Sequence, residues 1–300
     1  MESATLVSNR EKRLEKTDNG APLPKGVVDP AGAARRIRLA TYPPSPALQP
    51  FVDYHWVVQW DLDGRSPETQ RVLPYPHAHL VFERDRSAIH GVVRGAFERK
   101  VEGAGKVLGV RFKPGGLRPF LPHPLSRLAD RTMPVDDVLG VTGAEAELRV
   151  LGEQAWRGAD SGTGETGCGR SDAQMLQAAE ALLAAVLPPP DPRALLAQRA
   201  VEAAAAENGP VSVAALSDRL GIEERTLQRL FSNYVGVSPK WVIQRFRLQE
   251  ATWQLGRATA PDLAALAARL GFFDQAHFTR GFTQLVGKPP LEYWKSQQGA

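Results

Sequence analysis

The chain has 300 residues, 43% of them hydrophobic and 23% charged. That is enough apolar material for two buried cores and a linker. A net charge of +4 and a pI near 9.3 describe a mild basic excess, not a polybasic tail, and no apolar run approaches the ~18 residues a membrane span requires. The single cysteine, Cys168, excludes an internal disulfide framework, and the opening "MESATLVSNREKRLEKTDNG" lacks the apolar centre of a secretory signal. Together these features point to a cytoplasmic protein with no membrane partner.

Residues 1–40 are polar, charged and aperiodic, and read as a disordered segment. From Tyr42 the texture changes. "PFVDYHWVVQW" (50–60), "RVLPYPHAHLVFER" (71–84), "AIHGVVRGAFERKV" (88–101) and "KVLGVRFKPGG" (106–116) are short β-branched and aromatic runs between turn residues. Such spacing fits a small antiparallel sandwich or barrel. Residues 115–140 look like short helical turns broken by prolines, and 143–156 read as a helix. The stretch 41–156 is therefore a β-rich domain. "RGADSGTGETGCGRSD" (157–172) is Gly/Ser/Thr-rich and serves as the linker, followed by a connecting helix in 173–190 that ends at "PPP". Everything from 191 to 297 is helical in pattern, with Asp191-Pro192 as a start and Asn208-Gly209 as a stop. The fold class is thus α+β and multidomain, β-rich in front and all-α behind.

The helical part repeats itself. "AALSDRLG" (214–221) and "AALAARLG" (264–271) share six of eight letters, and each ends at a glycine, where a left-handed residue closes a helix cheaply. A second helix begins shortly after each, so the helix–turn–helix arrangement occurs twice, at about 191–236 and 257–294. In the first unit Leu227, Leu230 and Phe231 turn inward while Arg225, Gln228 and Arg229 face out. In the second, Phe278 and Phe282 turn inward while Gln275, Ala276, Thr279 and Arg280 face out. Arg and Gln read guanine and adenine edges in the major groove through paired hydrogen bonds. The same faces also occur on ordinary surface helices, but a matched pair favours DNA. Residues 211–300 hold eleven Lys plus Arg and seven Asp plus Glu, and 11 − 7 = +4 equals the net charge of the chain. Between the units, 238–256 read as a rigid helix capped by Ser238 and Pro239, with Trp241, Val242, Phe246 and Leu255 as its apolar contacts. Such a strut can set two reading heads about 34 Å apart, one turn of DNA.

Residues 195–297 resemble the DNA-binding module of the AraC/XylS family of transcription regulators. The resemblance rests on "AALAARLGFFDQAHFTRGFTQLVGKPPLEYW" (264–294) and "RTLQRLFSNYVGVSPKWVIQRFRLQEA" (225–251), and it covers about a third of the chain. It implies that Arg225, Gln228 and Arg229, with Thr226 beside them, face DNA from the first recognition helix, and Gln275, Ala276, Thr279 and Arg280 from the second. It also implies a front domain that senses a small-molecule effector or mediates dimerisation, so the chain is expected as a monomer or homodimer with double-stranded DNA, an effector and RNA polymerase as partners. No cofactor and no enzymatic activity are implied.

Residues 41–155 resemble the cupin-like domains that precede some such modules. In "LPYPHAHLVFE", His77, His79 and Glu83 would share one face of a strand, and His-x-His followed by a carboxylate is a metal-binding pattern. Against this, Pro74 and Pro76 interrupt the strand, and neither His90 nor His123 supplies a convincing last ligand. Structural histidines are the competing reading, and a metal-dependent cupin enzyme or sensor fused to a DNA-binding module is the alternative function. An architectural DNA-binding protein is the third. Trp56 and Trp60 share a strand face, as core or as a ligand platform, and Arg111 either faces a pocket or solvent.

Overall fold

A computed structural model describes residues 37–62, 64, 66–72, 75–95, 97–153, 170–206, 209 and 211–298. The expected disordered segment up to residue 36, most of the 157–172 linker, Pro74 and Asn208 lie outside them. Among the described residues no helix is long and apolar enough to cross a membrane.

Among the described residues the front half builds eight strands: β1 Ile37–Tyr42, β2 Val52–Asp61, β3 Glu68–Val72, β4 His79–Phe82, β5 Ala88–His90, β6 Phe97–Val101, β7 Ala104–Phe112 and β8 Thr132–Pro134. Six form an antiparallel sheet in the order β1-β2-β7-β4-β5-β8, and β3 pairs with β6 alone. The larger sheet is open, with β1 and β8 at its edges. The 115–140 region, expected as helical turns, supplies two short 3₁₀ turns and also the edge strand β8, which pairs with β5 through Ile89 and Met133. Pro134 sits at its end, and an edge tolerates the missing donor.

Strand alternation divides this sheet into two unlike faces. Val57, Leu80, Phe82, Leu108 and Val110 are almost fully buried in one cluster with Val150, Met175 and Leu183. Those partners come from α2 Gly143–Leu151 and α3 Asp172–Ala185, which follow the one-turn α1 Asp136–Leu139. The first residue of α3 is tied to the sheet edge: the Asp172 carboxylate accepts from Tyr42 Oη at 2.6 Å and meets Lys106 Nζ at 2.8 Å and Arg38 Nη1 at 2.9 Å. Burial opposes its ionisation, but the bonds from Lys106 and Tyr42 outweigh that and hold its pKa below the usual carboxylate range.

The opposite face carries Tyr54, Trp56, Trp60, His79, His90 and Arg111, all half-buried. Trp56 and Trp60 lie over Gly109 and Gly105 of β7, where any Cβ would overlap the indole rings. Trp56 Nε1 donates to His79 Nδ1 at 3.2 Å. Arg111 donates to Tyr54 Oη and His77 Nε2, each at 2.6 Å, and His77 Nδ1 donates to the Phe112 carbonyl at 2.8 Å. Burial, with the Arg111 charge beside them, drives the pKa of both histidines down, to about 3 for His79.

Among the described residues the rear half holds seven helices: α4 Pro192–Ala205, α5 Val213–Leu220, α6 Glu224–Leu230, α7 Pro239–Arg257, α8 Leu263–Arg269, α9 Gln275–Val286 and α10 Pro290–Gln298. The expected caps are in place: Asp191 accepts from Arg193 N at 2.8 Å and Ser238 from Trp241 N at 3.2 Å. After α6 the chain widens into a π turn, Phe231–Val235, and stops at Gly236. Two cores form. Leu216, Leu227, Phe231, Val242 and Ile243 belong to the first, and Leu248, Leu255, Leu266, Phe278 and Phe282 to the second. Front and rear also touch. Val92 is buried in the first helical core, Arg245 of α7 donates to the Arg94 carbonyl at 2.6 Å, and the Tyr75 ring packs on Phe246 with centroids 6.2 Å apart.

Two measurements probe this packing. Gly109→Ala forces the Trp56 indole off β7 and should cost about 1–3 kcal/mol in urea unfolding. Gly256→Ala, in α7 with open space around it, should be neutral or stabilising by up to about 1 kcal/mol. The second concerns pH. An unfolded histidine takes a proton near pH 6.5, whereas folded His77 and His79 stay neutral well below that. Stability is therefore full above pH 6.5 and falls as pH drops below it, by up to about 1.4 kcal/mol per pH unit for each histidine. His79→Asn, which can keep an acceptor for Trp56, should flatten the fall measured between pH 7 and 5.

Candidate nucleic-acid interface

Each helix-turn-helix unit is closed by a glycine in the left-handed region. Gly221 (φ 67°) ends α5, and Gly271 (φ 69°) follows α8. In the first unit Ile222 N returns to the Ser217 carbonyl, and the Ser217 hydroxyl donates back to Ile222, so the turn is pinned from both sides. In the second, the Asp274 carboxylate accepts from His277 N at 2.6 Å and starts α9.

These turns fix which sides of α6 and α9 meet solvent. Leu227, Leu230, Phe278 and Phe282 are buried in the two cores. Arg225, Gln228 and Arg229 are exposed on α6, with Thr226 half-buried beside them. On α9, Gln275, Ala276 and Arg280 are exposed and Thr279 is half-buried. All eight residues expected from the sequence therefore fall on two outward faces, one per unit. Two further residues of the second unit were passed over: His277, exposed on α9 next to Ala276, and Phe273, 93% exposed just ahead of the helix. The signal for both lies in the spacing. Leu227 follows Gly221 by 227 − 221 = 6 residues, whereas Phe278 follows Gly271 by 278 − 271 = 7, so the second turn carries one residue more.

The units are set by α7. Val242 and Ile243 anchor its first half in one core, and Leu248, Ala251 and Leu255 anchor the rest in the other. Its 19 residues span about 28 Å at 1.5 Å each, close to the ~34 Å turn of B-DNA. Arg245, only 4% exposed, is stacked on Trp241 with its guanidinium 4.7 Å from the ring.

Of the two readings of His77, His79 and Glu83, the metal one lacks a shared strand face. With Pro76 ahead of it, β4 starts only at His79 and ends at Phe82, so His77 and Glu83 lie outside it and strand alternation does not align the three. Both nitrogens of His77 are engaged, His79 Nδ1 accepts from Trp56, and Glu83 is paired with Arg99. Among the described residues no three His, Cys, Asp or Glu side chains group as metal ligands. The structural reading of these histidines is the one the hydrogen bonds support.

Residues 40–134 match the family described as Domain of unknown function (DUF6597), and residues 216–296 match the family described as Helix-turn-helix domain. Among curated proteins, YkgA of Escherichia coli (strain K12), named as an HTH-type transcriptional regulator, is 34% identical over 84 residues, 28% of this chain and 35% of that protein. The HTH-type transcriptional regulator Rv1931c of Mycobacterium tuberculosis is 33% identical over 88 residues, 29% of this chain and 34% of that protein. The chain thus matches about a third of the length of these relatives. A solved transcriptional regulator with an AraC-type DNA-binding domain from Chromobacterium violaceum is 23% identical over 35% of this chain and 92% of its own, with a TM-score of 0.31. ToxT from Vibrio cholerae is 11% identical over 89% of this chain and 100% of its own, also at 0.31. Scores of this size fix no correspondence between residues. Residues 216–296 thus carry a helix-turn-helix domain of the kind found in these transcription regulators, and the sequence resemblance to the AraC/XylS module falls on the same residues.

Proposed function

We propose that this protein is a sequence-specific, DNA-binding transcription regulator of the cytoplasm. The observation that supports it best is the pair of exposed polar faces on α6 and α9, each following a glycine turn and both held by one helix. In this reading, phosphate contacts position the module and the two faces read adjacent major-groove segments. Arg225, Thr226, Gln228 and Arg229 serve one segment; Gln275, Ala276, Thr279 and Arg280 serve the next. The reading divides the chain into a regulatory part at 41–156, a linker at 157–172, a connecting helix at 173–190 and a DNA-binding part at 191–297. It assigns no catalytic step.

The regulatory part is the proposed seat of effector binding. Its half-buried face, with Tyr54, Trp56, Trp60, His79 and His90, offers planar rings and neutral imidazoles, a lining suited to a small aromatic molecule. RNA polymerase is the proposed downstream partner, and the chain acts as a monomer or homodimer.

Selection of duplexes from a random pool by the full-length chain tests the reading. Enrichment of a bipartite site with halves about one helical turn apart is the expected result; binding that falls with salt but ignores sequence would refute base reading. On the selected site Arg229→Ala and Arg280→Ala should each cost about 1–3 kcal/mol and relax specificity in one half only. For the effector face, small aromatic compounds should raise the melting temperature of the full-length chain, and Trp56→Ala should abolish the shift. Retention of the shift in that variant would place the effector elsewhere.

A further inference from the structure

We infer that Phe273 is a base-reading residue, seated against the 5-methyl group of a thymine in the half-site served by the second unit. The inference rests on the base-reading role proposed above and adds a contact of different chemistry to it.

Phe273 is 93% exposed, the most exposed large apolar side chain among the described residues. Scattered apolar residues on a surface need no explanation, but this one sits on a pinned turn. Arg247 of α7 donates to the Gly271 carbonyl at 2.9 Å and lies over the Phe272 ring at 5.5 Å. Phe272 is buried, edge-on to both His277 and Phe278. Asp274, on the other side, caps α9. The residues flanking Phe273 are thus anchored in the core or in the helix, and its ring is carried on a rigid mount.

The mount faces the reading side. Phe273 stands two residues before Gln275, and the first residues of a recognition helix are those that reach base edges. The turn also carries one residue more than its counterpart, where Glu223 is the exposed residue two positions after the glycine. The two units therefore present different chemistry at this point, a carboxylate in one and a phenyl ring in the other. A bare phenyl ring has no hydrogen bond to offer, so the only major-groove feature it complements is the thymine methyl, the one apolar group exposed there.

The experiment uses the full-length chain and its selected duplex, with each thymine of the second half-site replaced singly by deoxyuridine. That replacement removes the methyl and leaves every hydrogen bond intact. One replacement should weaken wild-type binding about three- to fivefold, the size expected for one buried methyl group. Phe273→Ala should weaken binding to the all-thymine site by a similar or somewhat larger factor, become indifferent to that replacement, and melt at the wild-type temperature. Three results would overturn the inference: wild type indifferent to every deoxyuridine, wild-type affinity in Phe273→Ala, or a deoxyuridine loss that persists undiminished in the variant. Failure to enrich any sequence at all would overturn it too, together with the base-reading role on which it rests.

Discussion

A helix can bury only one stripe along its length, and α7 divides its stripe between two cores. Val242 and Ile243 are locked among α4, α5 and α6, while Leu248, Ala251 and Leu255 are locked among α8, α9 and α10. Neither helix-turn-helix unit can turn about the helix axis without pulling apolar side chains out of a core, at roughly 1.5–3 kcal/mol for each large one. The separation and relative orientation of the outward faces on α6 and α9 are thereby properties of one helix.

The same helix ties the rear half to the front. Arg245 is buried with no acidic partner among the described residues; its guanidinium donates to the Arg94 carbonyl and stacks on Trp241, and burial lowers its pKa to about 10. A buried guanidinium held by a carbonyl and a ring resists replacement by lysine, whose point charge cannot reproduce the planar stack. Beside it, the Tyr75 ring rests on Phe246, and the Arg111 guanidinium lies over that same Tyr75 ring at 5.3 Å. The polar cluster of the half-buried sheet face is thus one aromatic ring removed from the helix that sets both units.

The rear half was legible because its signals are local. Glycines at helix ends, Asp191 and Ser238 at helix starts, and alternating apolar and polar letters each act within a few residues, and the eight expected positions lie on the expected faces. The front half was legible only in kind. Short strands could be counted, but their partners are set by contacts across long stretches of chain, as in the Tyr42–Asp172 bond across 130 residues. Hence Thr132–Pro134 passed for a helical turn, although β5 supplies it with a strand partner. The metal reading of His77, His79 and Glu83 relied on strand alternation, a sound rule, yet the strand that would enforce it is only four residues long. Nothing in the letters around Arg245 announces that it is buried, because its surroundings come from residue 94.

That last contact bears on how the chain is made. Arg94 and Arg245 are 151 residues apart in sequence. At synthesis rates of about 5–20 residues per second, the 92–94 segment therefore leaves the ribosome roughly 8–30 s before the helix that covers it. Until that helix emerges Val92, 1% exposed in the finished protein, has no complete helical core to enter, because Val242 and Ile243 belong to it. The strands can pair early, but the surface around Val92 is completed only once residue 245 has emerged. The nascent chain thus carries an uncovered apolar spot at Val92 for tens of residues of synthesis, and the arrival of the helical half closes it.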